Sequence, residues 1–265
     1  MIKFDRFKDG KRNILTMSYD DGPDADRRLV EIFNKYGIRG SFHLNSGLFG
    51  NNGKITAGEV GTLYKNHEVS CHTVTHPFLE RIPTVNAIKE VMQDRENLEK
   101  LCGYPVRGMS YPYGTYDDNV IEILRLCGIK YCRSTQSTGG FGFPKNFLTW
   151  TPTCHHNNDI MEKGKTFVDN LKFNWRTQLF YVWGHSYEFN NQNNWNVIED
   201  FCEFMGGRDE IWYATNIEIY DYITAQRNLQ ISADESIIFN PSVLTVWIEK
   251  DGELIEIPGG ATIKF

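Results

Sequence analysis

Hydrophobic and polar positions switch between two periods along most of the chain. Residues 14–19 are mostly apolar or β-compatible and run into Asp20-Asp21-Gly22-Pro23, which predicts a strand feeding a turn. Over 25–36 the apolar residues Leu29, Val30, Ile32 and Phe33 share a helical face, and Gly37 ends the helix. Strand-like runs follow at 40–44 and 68–72, with a helix expected over 57–65 between them. The clearest helix covers 85–101. Val85, Ile88, Val91, Met92, Arg95, Leu98 and Leu101 mark one face, and Gly103 and Pro105 close it. A short β-like piece, a turn at Tyr111-Pro112-Tyr113-Gly114, a helix over 117–127 and a strand over 128–133 come next. Residues 135–147 are Gly-rich and aperiodic, which predicts a loop. A late strand at 180–183 delivers Gly184-His185, followed by a helix over 196–205 and a last strand at 211–214. This alternation predicts an α/β fold of parallel strands covered by helices.

Beyond about Thr224 the pattern changes. Short β-like runs at 237–239, 243–248 and 254–257 alternate with Asn-Pro and Asp-Gly turns, and Lys250-Asp251-Gly252 between apolar runs signals a hairpin. The expected organisation is a main unit over 1–225 and a β-rich carboxyl-terminal extension over 226–265, packed on it as edge cover.

The 265 residues, 40% hydrophobic, are enough for one such α/β unit with a small appendage. The net charge of −6, with no dense Lys/Arg run, argues against nucleic acid or an anionic membrane as partner. No apolar stretch reaches the length of a membrane span. Six cysteines without a CxxC pair predict buried reduced thiols, and the cytoplasm is the expected compartment, with secretion the alternative if a leader peptide has been removed. Oligomeric state is left open.

Two polar pairs carry candidate chemistry. Consecutive acids at a strand end diverge as the chain turns, so that Asp20 and Asp21 can serve different partners. His72 and His76 form an HxxxH pair, and because Pro77 and the Val74-Thr75 run disfavour a helix, a turn is expected to bring the imidazoles together. Two neutral imidazoles and one carboxylate make a three-ligand set for a divalent ion of the zinc, cobalt or nickel class.

The run Ser18-Tyr19-Asp20-Asp21-Gly22-Pro23, together with His72-Thr73-Val74-Thr75-His76, resembles the first two motifs of the polysaccharide deacetylases, the carbohydrate esterase family 4 or NodB-homology group. Tyr111-Pro112-Tyr113-Gly114 resembles their substrate-groove motif and Val182-Trp183-Gly184-His185 the late motif, so that the likeness extends over roughly residues 10 to 225. The resemblance implies an irregular (β/α) barrel of the NodB-homology type with fewer than eight strands. It implies Asp20 as catalytic base, Asp21, His72 and His76 as ligands of one divalent metal ion, usually zinc (cobalt or nickel being alternatives), and His185 as general acid. Tyr113 would give a backbone N–H to the oxyanion, with Tyr111 as groove wall; Trp183, beside the proposed acid, either stacks on substrate, holds the loop or is a plain core residue. The substrate would be an acetylated oligosaccharide or a small acylated molecule, and an inactive carbohydrate-binding relative on the same scaffold is the rival.

One position departs from the family pattern. Where these enzymes carry an arginine that orients the catalytic aspartate, this chain has Ser110, which supplies no permanent charge. Either another cation orients Asp20, Arg107 being the nearest in sequence, or Asp20 is held differently. Cys154-His155-His156 stands out as well, since adjacent side chains point apart and do not readily converge on one ion; a supporting role around the site or contact with substrate is expected.

Overall fold

The computed structural model describes residues 1–173 and 175–265. The long second strand organises it. After β1 (Ile2–Lys3), β2 (Asn13–Asp20) is buried along its whole length, as a central parallel strand with both faces covered must be. The chain then alternates: α1 (Asp26–Lys35), β3 (Gly40–Leu44), α2 (Val60–Leu63), β4 (Glu68–Cys71), α3 (Thr84–Cys102), β5 (Gly108–Ser110), α4 (Asp118–Leu126) and β6 (Tyr131–Arg133). It continues through β7 (Cys154–His155), α5 (Ile160–Asp169), β8 (Gln178–Gly184), α6 (Tyr187–Asn191), α7 (Trp195–Met205), β9 (Ile211–Tyr213) and α8 (Asn216–Arg227).

These strands form one eight-stranded sheet in the order β6-β5-β4-β3-β2-β8-β7, with β9 also paired to β2, and every pairing is parallel. Because β3 pairs with the carboxyl half of β2 and β9 with its amino half, the sheet curls into an irregular, incomplete barrel. The expected α/β barrel is thus present, with eight strands where the resemblance implied fewer. The segment between β6 and β7 bridges the gap, Arg133 pairing with Trp150. Parallel strands put all their carboxyl ends at one face, where ligands of such sheets bind.

Two element expectations need correction. Helix α3 buries Ala87, Val91, Asp94 and Leu98, while Val85, Ile88 and Met92 are exposed, so its inner face is rotated from the predicted stripe. The cause is Asp94, whose fully buried carboxylate reaches the backbone of two loops and fixes the rotation. The helix expected over 57–65 is a single 3₁₀ turn followed by the short α2.

After α8, the chain builds two small antiparallel sheets from β10 (Gln230–Ile231), β11 (Ile237–Phe239), β12 (Val246–Lys250), β13 (Glu253–Ile257) and β14 (Thr262–Lys264); β1 joins the second of them beside β12. The Asp251-Gly252 turn has φ of 53° and 91° and pairs Lys250 with Glu253, the geometry that a two-residue hairpin of this kind requires. Ile238, Val246, Ile248 and Ile257 are fully buried in a second core with Ile14, Leu179, Trp212 and Tyr222, beneath the barrel. Glu249 gathers Lys3, Arg6 and Arg12 at 2.6–2.9 Å.

Burying four such side chains contributes roughly 6–12 kcal/mol, as much as the whole stability of ~5–15 kcal/mol expected of a domain. A chain cut after Arg227 is therefore expected to aggregate and lose its cooperative melting transition, checked by size-exclusion chromatography and thermal melting. A soluble, cooperatively melting product would show that these sheets are dispensable cover.

Candidate active site

Strand register gathers the polar residues named from the sequence. Asp20 pairs with His43 of β3, Tyr19 with Gly184 of β8, Cys71 with Met109 of β5 and Ser110 with Arg133 of β6. Asp20, His72, Ser110, Arg133 and His185 accordingly stand at one level, at the carboxyl end of the barrel.

The two acids do diverge. Asp21 has φ of 77°, and this left-handed turn gives its side chain a different course from that of Asp20, although both carboxylates come within 4 Å of His72 Nε2. Its Oδ1 lies 3.7 Å from His72 Nε2 and 3.8 Å from His76 Nε2. The three donor atoms fall within 4.8 Å of one another, near enough for one cation to draw them together. His72 Nδ1 is 2.8 Å from the carbonyl of Ser110, which can only accept, so the ring proton sits on Nδ1 and the Nε2 lone pair faces the site. Burial depresses the His72 pKa to about 4, keeping the imidazole neutral. The residues therefore fit a divalent ion: a tautomer fixed from behind, a second imidazole and a carboxylate that faces both.

Helix α3 holds the loop that carries the histidines. Asp94 accepts the backbone N–H groups of His72 and Ser46 at 2.9 Å, and Glu90 accepts both the N–H and the hydroxyl of Thr75. Thr73, His76 and Tyr113 have φ of 68°, 62° and 60°. With Asp21, they make four left-handed non-glycine residues around one cleft, where strain of this kind persists only if its surroundings enforce it. Asp94 gave no signal in the sequence, because an acid on an amphipathic helix reads as solvent-facing.

Asp20 is nearly buried and receives Arg133, whose guanidinium donates to Oδ2, while the Ser110 hydroxyl donates to Oδ1 at 3.0 Å. Burial would raise the Asp20 pKa, but the adjoining Arg133 charge, followed by His72, outweighs it and holds the carboxyl well below the usual range. The missing cation is thus supplied by Arg133, one strand over from Ser110. Arg107 is not the substitute: it forms a bidentate pair with Asp221 at 2.7–2.8 Å. Ser110 is no vacancy either, since its hydroxyl also lies 2.7 Å from His72 Nδ1.

Trp183 is 9% exposed, its ring under the Arg133 guanidinium at 4.6 Å and edge-on to His185 at 5.8 Å. It braces both groups from below and offers little face to a substrate. The expectation for Tyr111 as groove wall is corrected: it is 1% exposed, stacks on Tyr116 and donates its hydroxyl to Leu148, because its strand-end position points it into the core. Tyr113 is half exposed, stacked on Phe78 at 3.7 Å and edge-on to His76 at 4.5 Å, and it is the aromatic of this motif that reaches the cleft. His185 Nδ1 lies 2.6 Å from Glu188. Burial would lower the His185 pKa, but this hydrogen bond and the charges of Asp20 and Asp21 raise it, favouring the protonated form. Cys71, beside His72, is fully buried and its thiol is pushed up, away from the thiolate that a metal would need.

Residues 7–132 match a family model described as polysaccharide deacetylase. Curated relatives include a peptidoglycan-N-acetylmuramic acid deacetylase of Bacillus subtilis, 24% identical over 120 residues that cover 44% of this chain and 25% of that protein. A chitin deacetylase of Arthroderma benhamiae is 30% identical over 113 residues, 42% of this chain and 30% of that protein. The chain thus spans a quarter to a third of the length of these relatives. Among solved structures, a protein assigned to the polysaccharide deacetylases from Mycobacterium smegmatis superposes with a TM-score of 0.62 at 14% identity, covering 86% of this chain and 96% of that one. A CE4 family pseudoenzyme from Bacillus anthracis superposes at 0.53 and 15% identity, covering 80% and 66%. The fold is shared with both. Among the described residues no helix is long and apolar enough to cross a membrane.

Proposed function

From the match of residues 7–132 to the polysaccharide deacetylase model, we propose that the chain is a metal-dependent hydrolase that removes an acetyl group from an N- or O-acetylated carbohydrate. The observation that carries this reading is the division of labour between neighbouring acids. Asp21 Oδ1 lies within 3.8 Å of Nε2 of both His72 and His76, while Asp20, with Oδ2 3.9 Å from His72 Nε2, is held by Arg133 and Ser110.

In this reading Asp21, His72 and His76 hold the ion, zinc by preference and cobalt or nickel as alternatives. A divalent cation bound there would polarise the scissile carbonyl and acidify a water beside it. Asp20 takes the proton of the attacking water; Arg133 and Ser110 keep its carboxylate ionised and fixed in direction. Its low basicity is tolerable because a divalent cation at this site would acidify the water. Tyr113, with its left-handed backbone, would present its N–H to the developing oxyanion. His185, favoured in its protonated form, delivers a proton to the departing nitrogen or oxygen. An amide nitrogen leaves poorly without that proton, so His185 matters most for N-acetyl substrates. The half-exposed Tyr113, backed by Phe78 and Arg81, would border the sugar beside His76.

The test is acetate release from a panel of N-acetylated chitooligosaccharides, peptidoglycan fragments, acetylated xylooligosaccharides and small non-sugar amides. Turnover on the sugars is expected. Turnover on small amides alone would move the substrate class, and sugar binding with no acetate release would place the chain with the inactive relatives.

A further inference from the structure

The pair His155-His156 plays no part in the reaction described above, yet it lies against the residue assigned as acid. Strand β7 pairs in parallel with β8, placing His155 opposite Trp183, so both histidines arrive level with Gly184-His185. Helix α6 begins two residues after His185, and its first turn brings Glu188 back over the ring.

Glu188 is the hub of this corner. Its Oε1 lies 2.6 Å from His185 Nδ1 and 3.3 Å from His155 Nε2; its Oε2 lies 3.2 Å from His156 Nε2 and accepts from Asn157 Nδ2 at 2.8 Å. His155 Nδ1 accepts the backbone N–H of Asn157, so a neutral His155 carries its proton on Nε2, facing the carboxylate. His156 is buried between Tyr19 and Phe189, with ring centroids at 5.7 and 4.2 Å. Gly184 makes room for it: a Cβ there would sit 2.0 Å from His156 Nδ1. A carboxylate that accepts from His185 and Asn157, with two further imidazole nitrogens at 3.2–3.3 Å, stays ionised, and an ionised carboxylate only accepts.

We propose that Glu188 is the positioning residue for His185, locked in place by His155 and His156, and that it holds the His185 proton on Nδ1 so that Nε2 faces the substrate. This rests on the reading of His185 as general acid. The same geometry weighs against a second metal site, although the donor atoms of His155, His185 and Glu188 lie within 4.8 Å of one another. A metal on His155 Nε2 would need that nitrogen unprotonated, moving the proton to Nδ1 and against the Asn157 N–H.

The test compares zinc-loaded wild type, Glu188→Gln and Glu188→Asp, with His185→Ala to assign the resonance. Long-range nitrogen–proton NMR reads the His185 tautomer without any turnover. The neutral ring of the wild type is expected to carry its proton on Nδ1, with Nε2–H gaining in the glutamine variant. In turnover, Glu188→Gln is expected to lower kcat for an N-acetyl sugar about 100-fold, the range of general acid–base contributions, with KM little changed. Loss on 4-nitrophenyl acetate, whose leaving group needs no proton, should be at least about tenfold smaller, and Glu188→Asp should restore part of the amide rate. Equal losses on both substrates, an Nε2–H tautomer in the wild type, or a second bound zinc that the glutamine variant loses would overturn the proposal. A wild type inactive on both substrates would overturn the hydrolase reading instead, leaving the tautomer to decide the role of Glu188.

Discussion

Replacing Asp20 by asparagine is expected to lower kcat for acetate release on the order of 10³-fold, within the span of general-base contributions, while the protein still binds one divalent ion. The reason is the separation of the two acids. Asp21 turns toward His72 and His76 through its left-handed backbone, whereas Asp20 points to Arg133 and Ser110. An amide in place of the carboxylate keeps the shape and removes the proton acceptor. The Arg133 charge is then buried without its counter-ion, so the melting temperature should fall as well, and turnover is to be compared below that transition. Steady-state kinetics with zinc stoichiometry checks both halves. A loss of metal equal to the loss of rate would make Asp20 a ligand, not a base.

Arg133→Met tests the other side of the pair. Arg133 is fully buried under Trp183, and removing one partner of a buried ion pair typically costs about 3–5 kcal/mol. The carboxylate left behind is relieved of the charge that holds its pKa down, and burial alone raises it. Asp20 should therefore keep its proton to a higher pH than in the wild type, and the protonated form is no base. Loss of folding stability is expected together with a fall in turnover that partly recovers as pH rises. The double variant Asp20→Asn/Arg133→Met, with no buried charge, should melt above either single variant yet remain as slow as Asp20→Asn. Additive destabilisation in the double variant would show that the two residues do not act as a pair.

Much of this site was legible because its key pieces are local. Asp20-Asp21-Gly22-Pro23 and the HxxxH run are contiguous, and a turn brings the imidazoles together within five residues. Strands β2, β3 and β4 also fall where the apolar runs place them. What stayed hidden depends on register between strands. Arg133 reaches Asp20 only because β6 pairs beside β5, Ser110 opposite Arg133, and Glu188 meets the histidine pair only because β7 pairs with β8. Helix α8 escaped notice for a different reason. It is buried on several sides, with Asn216, Ile219, Tyr222, Ile223, Ala225 and Gln226 all inside, so no single apolar stripe marks it. Its start is tied in by Glu68, a buried acid that accepts Ser41, Ser70, Tyr131 and the Ile217 N–H.

The most direct measurement is a zinc titration of the chelator-stripped, folded protein by competition with a chromophoric chelator, paired with acetate release from an N-acetylated chitooligosaccharide. The account predicts one tight site per chain, restoration of turnover in step with its filling, and a site weakened by more than about 100-fold in His76→Ala, beyond what loss of an outer partner produces. A stripped protein that turns over unchanged, or a His76→Ala variant that binds zinc as the wild type does, would contradict it.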